Sequence, residues 1–176
     1  WNQAPPELRE RDLEQVPPCS SDQPGVRAVA ERRLAHGQEY LCVVKYSASF
    51  AGEQLHSLTT TLSKVLQALR RLSVHLTKPK ARWQENQIRQ KIARWLSAQF
   101  TSELIHYQLE RRAGHWRLQF DLDQAAWQRL LAHRLGRTIL LTNRLDWTAE
   151  QVVAGYSGQQ QIERVFRGLK DGAWLG

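Results

Sequence analysis

The sequence predicts an α/β fold, because segments with strand character and segments with helical periodicity follow one another along the chain. Residues 38–46, Gln-Glu-Tyr-Leu-Cys-Val-Val-Lys-Tyr, are rich in the β-branched and aromatic side chains that strands favour. Residues 54–76 carry apolar side chains at alternating intervals of three and four, which is typical of an amphipathic helix. Residues 138–142, Thr-Ile-Leu-Leu-Thr, predict a further strand that is buried on both sides and leads into a polar helix.

The N-terminal segment is predicted to be extended and irregular. Residues 1–28 contain two Pro-Pro pairs and a Pro-Gly step, which disfavour helices and central strands. We therefore assign residues 1–37 to a proline-rich extended segment that precedes the strand at 38–46.

The leucine-rich segment predicts a helical hairpin. Pro79 ends its first helix, because proline cannot continue a helical hydrogen-bond ladder. A second helix is expected over residues 82–98, and the short connection makes the two antiparallel and places them apart from the sheet. The apolar stripe of the first helix consists of Leu55, Leu58, Leu62, Val65, Leu69, Leu72 and Leu76, and that of the second of Ile88, Ile92, Trp95 and Leu96.

The predicted hairpin is also strongly basic. Its Lys and Arg side chains are a candidate surface for the DNA backbone, although a solvated charged face is the commoner meaning of such a pattern. These residues are Arg70, Arg71, Lys78, Lys80, Arg82, Arg89, Lys91 and Arg94.

Residues 103–122 predict a β-hairpin with a turn at 111–114, and residues 123–133 predict a short helix. Asp121 and Asp123 are close enough in sequence to suggest a metal pair. Because Asp is favoured at helix N-termini, we expect them instead to end the strand and cap the helix.

The segment after the last strand predicts a capped helix. Thr148 and Gln151 have the spacing of a capping box, in which each side chain bonds the other residue's backbone N–H. Gly155 and Gly158 weaken a helix interior. We therefore expect a kink or break near these two glycines.

One face of this helix gathers polar groups of unlike chemistry. Seven residues drift only about 20° from two helical turns, so Tyr156, Glu163 and Lys170 stack in one line. Gln159 and Arg167 occupy neighbouring positions on the same face. The apolar residues of the opposite face, which we expect to pack on the strand at 138–142, are Ile162, Val165, Phe166 and Leu169.

This spacing resembles the Tyr-x2-Arg-x3-Glu-x6-Lys signature of DDE-type transposases of bacterial insertion sequences. All four positions match in spacing and three match in residue type, with Gln159 standing where the family carries Arg. The Thr-Asn pair that follows the preceding strand and the ending Val-Phe-Arg-Gly-Leu-Lys at 165–170 also resemble that family. The resemblance covers about residues 137–171.

The resemblance implies that Glu163 is the third carboxylate of a metal-binding triad that holds Mg²⁺ or Mn²⁺. It also implies that Tyr156 and Lys170 contact the DNA backbone near the scissile phosphate. Gln159 would contact DNA without the charge of the family's Arg, and Arg167 is assigned to DNA by its helical position alone. The two aspartates that complete the triad are expected outside this chain.

The same resemblance implies a partial RNase H-like catalytic core. Residues 137–176 would be the C-terminal part of that core. Residues 38–136 would be a mixed α+β insertion made of a strand, the helical hairpin, the β-hairpin and a short helix. Because the chain contains no Met, we expect a C-terminal fragment or decayed remnant of a larger enzyme, inactive on its own.

The charge balance favours polyanionic partners. The chain carries 25 Lys and Arg against 17 Asp and Glu, a formal net charge of +8, and Arg suits phosphate geometry. We expect DNA at transposon ends as the partner and a homodimer in the transposition complex. No apolar run reaches the length of a membrane span, and the bacterial cytoplasm, on the nucleoid, is the expected compartment.

A second hypothesis is a non-catalytic, basic α/β module that binds nucleic acid by charge. Both hypotheses predict DNA affinity, and they differ in whether Glu163 acts together with a divalent metal. Ser47 and Ser49 have no base nearby in the sequence, so a hydrolase triad is not supported. Cys19 and Cys42 lack metal-ligand spacing, and Cys42 is expected to be a buried strand residue.

Overall fold

The computed structural model describes residues 11, 13, 15–35, 37–78 and 83–170, with the side chains of all of these except residues 35 and 160–170. The fold is mixed α/β, as predicted, with helices and antiparallel sheets. In chain order the elements are β1 Val26–Ala35, β2 Gln38–Ser47, α1 Ala48–Leu76, α2 Glu85–Trp95, α3 Thr101–Leu104, β3 Ile105–Arg112, β4 His115–Leu122, α4 Gln124–His133, β5 Arg137–Thr142 and α5 Ala149–Lys170.

The chain divides into two compact units. Unit 1 consists of residues 1–51 and 136–176, and unit 2 consists of residues 52–135. Unit 1 contains the sheet formed by β1, β2 and β5 together with α5, whereas unit 2 contains the remaining elements and most of α1. The strand β2, expected within the insertion at 38–136, therefore lies in the same unit as the C-terminal helix. The assignment of an insertion stays a prediction.

β2 is the central strand of the unit 1 sheet and pairs antiparallel with β1 on one side and β5 on the other. Leu41 and Val43 point to one face and Cys42 and Val44 to the other, because side chains alternate along a strand. All four are at most 5% exposed. The strand predicted at 38–46 is thereby confirmed, with both of its faces buried.

β1 was not predicted from the sequence. It occupies residues 26–35, within the segment expected to be proline-rich and extended. Four of its ten residues are charged, which hid the apolar positions Ala28 and Val29 that enter the core. An edge strand tolerates such charges because only part of its surface is covered.

The burial predicted for the last strand is wrong. β5 is an edge strand, and its Leu140 is 5% exposed while the adjacent Leu141 is 57% exposed. Leu140 faces the side of the sheet that carries α5, and Leu141 faces the opposite side. A strand covered on both faces would have buried the two leucines alike.

The two helices of the predicted hairpin are present in unit 2. α1 ends at Leu76, as expected, but begins at Ala48, before the predicted start. α2 covers 85–95 rather than 82–98. Pro79 lies outside the described residues, and the relative direction of the two helices stays a prediction. The predicted stripe of α1 is buried except for the partly exposed Leu55; the buried members are Leu58, Leu62, Val65, Leu69, Leu72 and Leu76.

The predicted β-hairpin is confirmed as β3 and β4, joined by Ala113 and Gly114. Both turn residues have positive φ, 49° and 82°, which is the geometry of the type I′ turn that suits twisted strands. Ser73 of α1 donates a hydrogen bond to the Leu118 carbonyl at 3.2 Å and so ties the hairpin to the helix.

In the part of the chain that the structure describes, none of the helices combines the length and apolar character needed to cross a membrane.

Candidate nucleic-acid interface

Helix α5, which carries the signature residues, begins with the predicted capping box. The Thr148 backbone N–H donates to Gln151 Oε1 at 2.8 Å, and the Gln151 N–H donates to Thr148 Oγ1 at 3.3 Å. These two bonds satisfy donors that a helix start leaves without intrahelical partners. Glu150 adds a negative charge to the first turn, where the helix dipole favours it.

The first turns of α5 are fixed to the sheet by apolar packing. The helix contacts all three strands of unit 1. Val152 is 1% exposed and Val153 is 4% exposed, so the start of the helix has little freedom to rotate. The buried cluster that holds it consists of Ala28, Leu41, Val43, Leu140, Ala149, Val152 and Val153.

A kink or break was expected at Gly155 and Gly158. The break is wrong, because one helix runs from Ala149 to Lys170, and the kink stays a prediction. Gly155 has a packing role instead. A Cβ at this position would lie 3.1 Å from Cζ3 of Trp147, whose ring packs against the buried cluster of unit 1. The missing side chain therefore lets the helix approach the indole, and this contact offsets the weak helix propensity of glycine.

A short connection between β5 and α5 places Trp147. The Arg144 backbone N–H donates to Thr142 Oγ1 at 3.1 Å, so the Thr of the Thr-Asn pair fixes the chain where the strand ends. The Arg144 guanidinium lies 4.8 Å from the Trp147 ring centroid and bonds both carboxylate oxygens of Asp146 at 3.2 Å. The hydrogen bond from Arg144 is the main cause that lowers the pKa of Asp146.

The structure describes the side chains of two of the predicted site residues on α5. Tyr156 is 36% exposed and Gln159 is also exposed, so both are accessible from solvent. The side chains of Glu163, Arg167 and Lys170 lie outside the described residues, as does the apolar face predicted for Ile162, Val165, Phe166 and Leu169. The helix itself extends through these positions, as predicted, and the roles of the signature residues stay predictions.

A second basic surface lies in unit 2, in a groove lined by α1 and by the segment around α2. The groove has a volume of about 340 Å³. The Lys91 ammonium lies over two indole rings, 5.2 Å from the Trp83 centroid and 5.7 Å from the Trp95 centroid. The lining residues, which we call the Trp–Lys groove, are Lys64, Gln67, Ala68, Arg71, Leu72, His75, Trp83, Lys91 and Trp95.

Arg71 and Lys91 were predicted to lie on a basic surface. The tryptophans were not predicted to lie there, since Trp95 was assigned to an apolar stripe. Lys91 and Trp95 are four residues apart on α2, and this spacing could have signalled a cation–π pair. Arg89, assigned to the same basic surface, instead pairs with Glu85 at 2.7 Å. Two basic residues of α2 thus differ in their surroundings, because Arg89 pairs with a carboxylate whereas Lys91 lies over aromatic rings.

Asp123 caps α4, as predicted. Its Oδ1 accepts a hydrogen bond from the Ala126 N–H at 2.8 Å, and its Oδ2 lies 3.0 Å from His106 Nε2. These bonds, led by the one from Ala126, lower the pKa of Asp123.

The cysteines and serines take structural roles in unit 1. Cys42 is 2% exposed, as expected for a buried strand residue, and Cys19 is partly buried. Burial is the main cause that raises the pKa of both thiols and disfavours their nucleophilic thiolate form. The Oγ atoms of Ser47 and Ser49 lie 3.1 Å apart where β2 leads into α1. The Ser47 hydroxyl also accepts a hydrogen bond from the Phe50 N–H at 3.4 Å.

Among the described residues, no three His, Cys, Asp or Glu side chains form a group that could hold a metal ion. The Glu163 side chain is not among the described ones. Comparison of the chain with protein-family models, with curated proteins and with solved structures found no match.

Proposed function

We propose that this chain is the C-terminal part of a DDE-type transposase, which catalyses metal-dependent DNA strand cleavage and transfer when an insertion sequence moves. The observation that carries the proposal is the spacing of Tyr156, Gln159, Glu163 and Lys170 along one uninterrupted helix. Its support from the structure is a capped helix start packed on a sheet, reached from β5 through the Thr-Asn pair.

In this proposal the sheet of unit 1 and α5 are part of an RNase H-like core, and Glu163 is one carboxylate ligand of the metal site. Two aspartates outside this chain complete that site. Bound Mg²⁺ or Mn²⁺ would activate the attacking water or 3′-hydroxyl and stabilise the leaving oxygen. The protein's own contribution would be positioning, because the start of α5 is packed on the sheet of unit 1.

The remaining signature residues serve the DNA backbone. Tyr156 offers a phenol O–H at the exposed edge of α5, and Gln159 offers a neutral amide. Lys170 and Arg167 would supply the positive charge. Because Gln replaces the family's Arg at position 159, the site has one charge fewer for phosphate. Transposon ends, a homodimeric complex and the bacterial nucleoid belong to the same proposal.

The chain alone is expected to bind DNA weakly and to cleave none. Its excess of basic side chains gives a backbone affinity that falls as salt increases. Two-metal phosphoryl chemistry needs several carboxylates around ions about 3.5–4 Å apart, and only Glu163 lies in a matching motif.

The decisive experiment begins with the genomic DNA upstream of the Trp1 codon. An open reading frame that adds two aspartates on predicted strands, with inverted repeats outside it, would support the proposal. The longer protein should then nick supercoiled DNA with Mg²⁺ or Mn²⁺. Glu163→Gln should abolish nicking, whereas Glu150→Gln, in the first turn of the same helix, should preserve it.

Nicking that survives Glu163→Gln would contradict the proposal. So would metal-dependent nicking by the present chain alone, because the aspartates would then lie within it, with Asp121 and Asp123 the first to be tested. A further variant, Gln159→Arg, restores the family's residue and should raise DNA affinity in low salt.

The alternative function is a non-catalytic, basic nucleic-acid-binding α/β module. The observation that favours it is the Trp–Lys groove, a cationic and aromatic surface outside the signature helix. It predicts that DNA binding is indifferent both to divalent metal and to Glu163→Gln.

A further inference from the structure

The Trp–Lys groove has one wall of spaced polar and basic side chains. Lys64, Arg71 and His75 lie seven and four residues apart on α1, so they follow one helix face over about 16 Å. Lys64 and Arg71 are exposed, while Leu72 closes the base of the groove at 4% exposure. This wall presents charge to solvent over an apolar base.

The other wall presents two indole faces. Trp83 and Trp95 are each only partly buried, and the Lys91 ammonium lies over both rings at cation–π distance. Trp83 is held in place from below, because the Trp116 Nε1–H donates to its backbone carbonyl at 2.9 Å. The β-hairpin therefore holds the backbone of Trp83, and the Lys91 side chain lies over both indole rings.

The charge of the groove is of one sign. Lys64, Arg71 and Lys91 bring three positive charges, and none of the described lining residues is acidic. A ligand for this surface must combine negative charge with flat apolar area. Successive nucleotides of an unpaired strand have both, since each base has a π face and each linkage has a phosphate.

We propose that the Trp–Lys groove binds an unpaired nucleic-acid strand by stacking a base on Trp95 and holding phosphates with Lys64, Arg71 and Lys91. A base takes the place of the Lys91 ammonium over one ring, and the displaced ammonium meets a phosphate. The inference goes beyond the transposase proposal and does not depend on it, because no catalytic residue and no metal takes part.

Duplex DNA and acidic peptides would each contact only the cations of the groove. The bases of a duplex are stacked inside the helix, so duplex DNA reaches the cations but leaves the indole faces empty. An acidic peptide likewise provides charge without a planar surface. Dependence on the tryptophans is therefore the property that separates an unpaired strand from both.

The test measures fluorescence anisotropy of a labelled thymidine oligonucleotide of about 15 nucleotides with the full chain. Trp95→Leu should weaken binding roughly 5- to 150-fold, and Trp95→Phe should restore much of it, because stacking needs an aromatic face. Arg71→Gln should also weaken binding and reduce its salt dependence. With three phosphate contacts, the log–log slope of affinity against salt should be about −2.

Matched variants control for folding and for general charge. Trp127→Leu removes a partly buried tryptophan elsewhere in unit 2, and Arg129→Gln removes an exposed cation of α4 that lies outside both the groove and the basic hairpin surface. Both should bind the oligonucleotide like the parent chain, and circular dichroism should show the same helix content in all variants.

Three outcomes would overturn the inference. One is an affinity that Trp95→Leu leaves unchanged in a folded chain. Another is an equal loss of affinity for a matched duplex on Trp95→Leu, which would indicate a binding mode without base stacking. The third is displacement by poly-glutamate at the same charge concentration as by unlabelled oligonucleotide, which would indicate a surface for acidic peptides.

Discussion

The two candidate nucleic-acid surfaces are constructed in different ways. On α5 the candidate residues follow one helix at fixed intervals, and a capping box and a buried cluster hold the start of that helix on the unit 1 sheet. In the Trp–Lys groove the residues come from α1, from α2 and from Trp83 ahead of α2, so helical spacing relates the residues within one wall but not those of opposite walls. A site on one element is visible in the sequence, whereas a site between elements becomes visible only when they meet.

The supports of the two surfaces differ as well. α5 depends on a sheet whose central strand is buried on both faces. The groove depends on the leucine stripe of α1, which lies behind its charged wall. Substitutions in these supports should change stability, while substitutions in the exposed surfaces should change binding alone.

The largest effect should come from the support of the groove. Leu69 is 0% exposed, and Leu69→Ala removes buried methyl groups and leaves a cavity, which costs about 2–5 kcal/mol. Arg70→Ala, at the adjacent exposed position, should change stability by less than about 0.5 kcal/mol. Urea unfolding compares the two variants. Equal losses would show that the stripe is not the core of this unit.

A second comparison concerns the stability cost of replacing one glycine in each unit. Gly136 in unit 1 and Gly114 in unit 2 both have positive φ, 72° and 82°. A Cβ at Gly136 would lie 2.7 Å from Ala51 Cβ and 2.7 Å from the Ser47 carbonyl oxygen, whereas Gly114 faces open space.

Gly136→Ala should therefore cost about 2–4 kcal/mol, from backbone strain together with overpacking. Gly114→Ala should cost about 1–2 kcal/mol from strain alone. Thermal or urea unfolding of the two variants measures the difference. A smaller cost at Gly136 than at Gly114 would contradict the packing of the chain against Ala51.

The two glycines of α5 allow a comparison within one helix. A Cβ at Gly158 meets nothing within 4 Å, so Gly158→Ala should stabilise the chain by about 0.5–1 kcal/mol through higher helix propensity. Gly155→Ala gains the same propensity but presses on the Trp147 ring at 3.1 Å. Gly155→Ala should therefore raise the free energy of unfolding less than Gly158→Ala does, as measured by urea or thermal unfolding. A larger gain at Gly155 would remove the role assigned to Trp147.

The smallest effect concerns pH and the cap of α4. Because bonds from Ala126 and His106 lower the pKa of Asp123, its contribution to stability is present above the unfolded value of 3.8. That contribution is lost as pH falls through the lower folded pKa. The urea midpoints of the parent and Asp123→Ala should therefore differ near about pH 6 and approach each other as the pH falls below 3.8.

Asp123→Ser provides the control, because a hydroxyl caps the helix without titrating in this range. Its stability should change less with pH than that of the parent. A parent-to-Ala difference that persists at low pH would show that the carboxylate charge is not what stabilises this helix start.

Patterns carried by single elements were predictable. The strand at 38–46, the leucine stripe of α1, the Asp123 cap and the Thr148–Gln151 box all follow from local spacing, and the structure contains each of them. The intervals of the signature likewise required only the helical repeat. Local hydrogen bonding and side-chain periodicity determine these features, and both are properties of a short stretch of chain.

Features that require two distant segments were decided by tertiary structure alone. The exposure of Leu141 depends on the position of β5 at the edge of the sheet, and the close approach of the Trp147 ring to Gly155 exists only in the folded chain. The Trp–Lys groove requires α1 and α2 to place cations opposite indoles. Sequence determines what each element offers, but the energy of packing depends on partners that only the folded chain brings within contact distance.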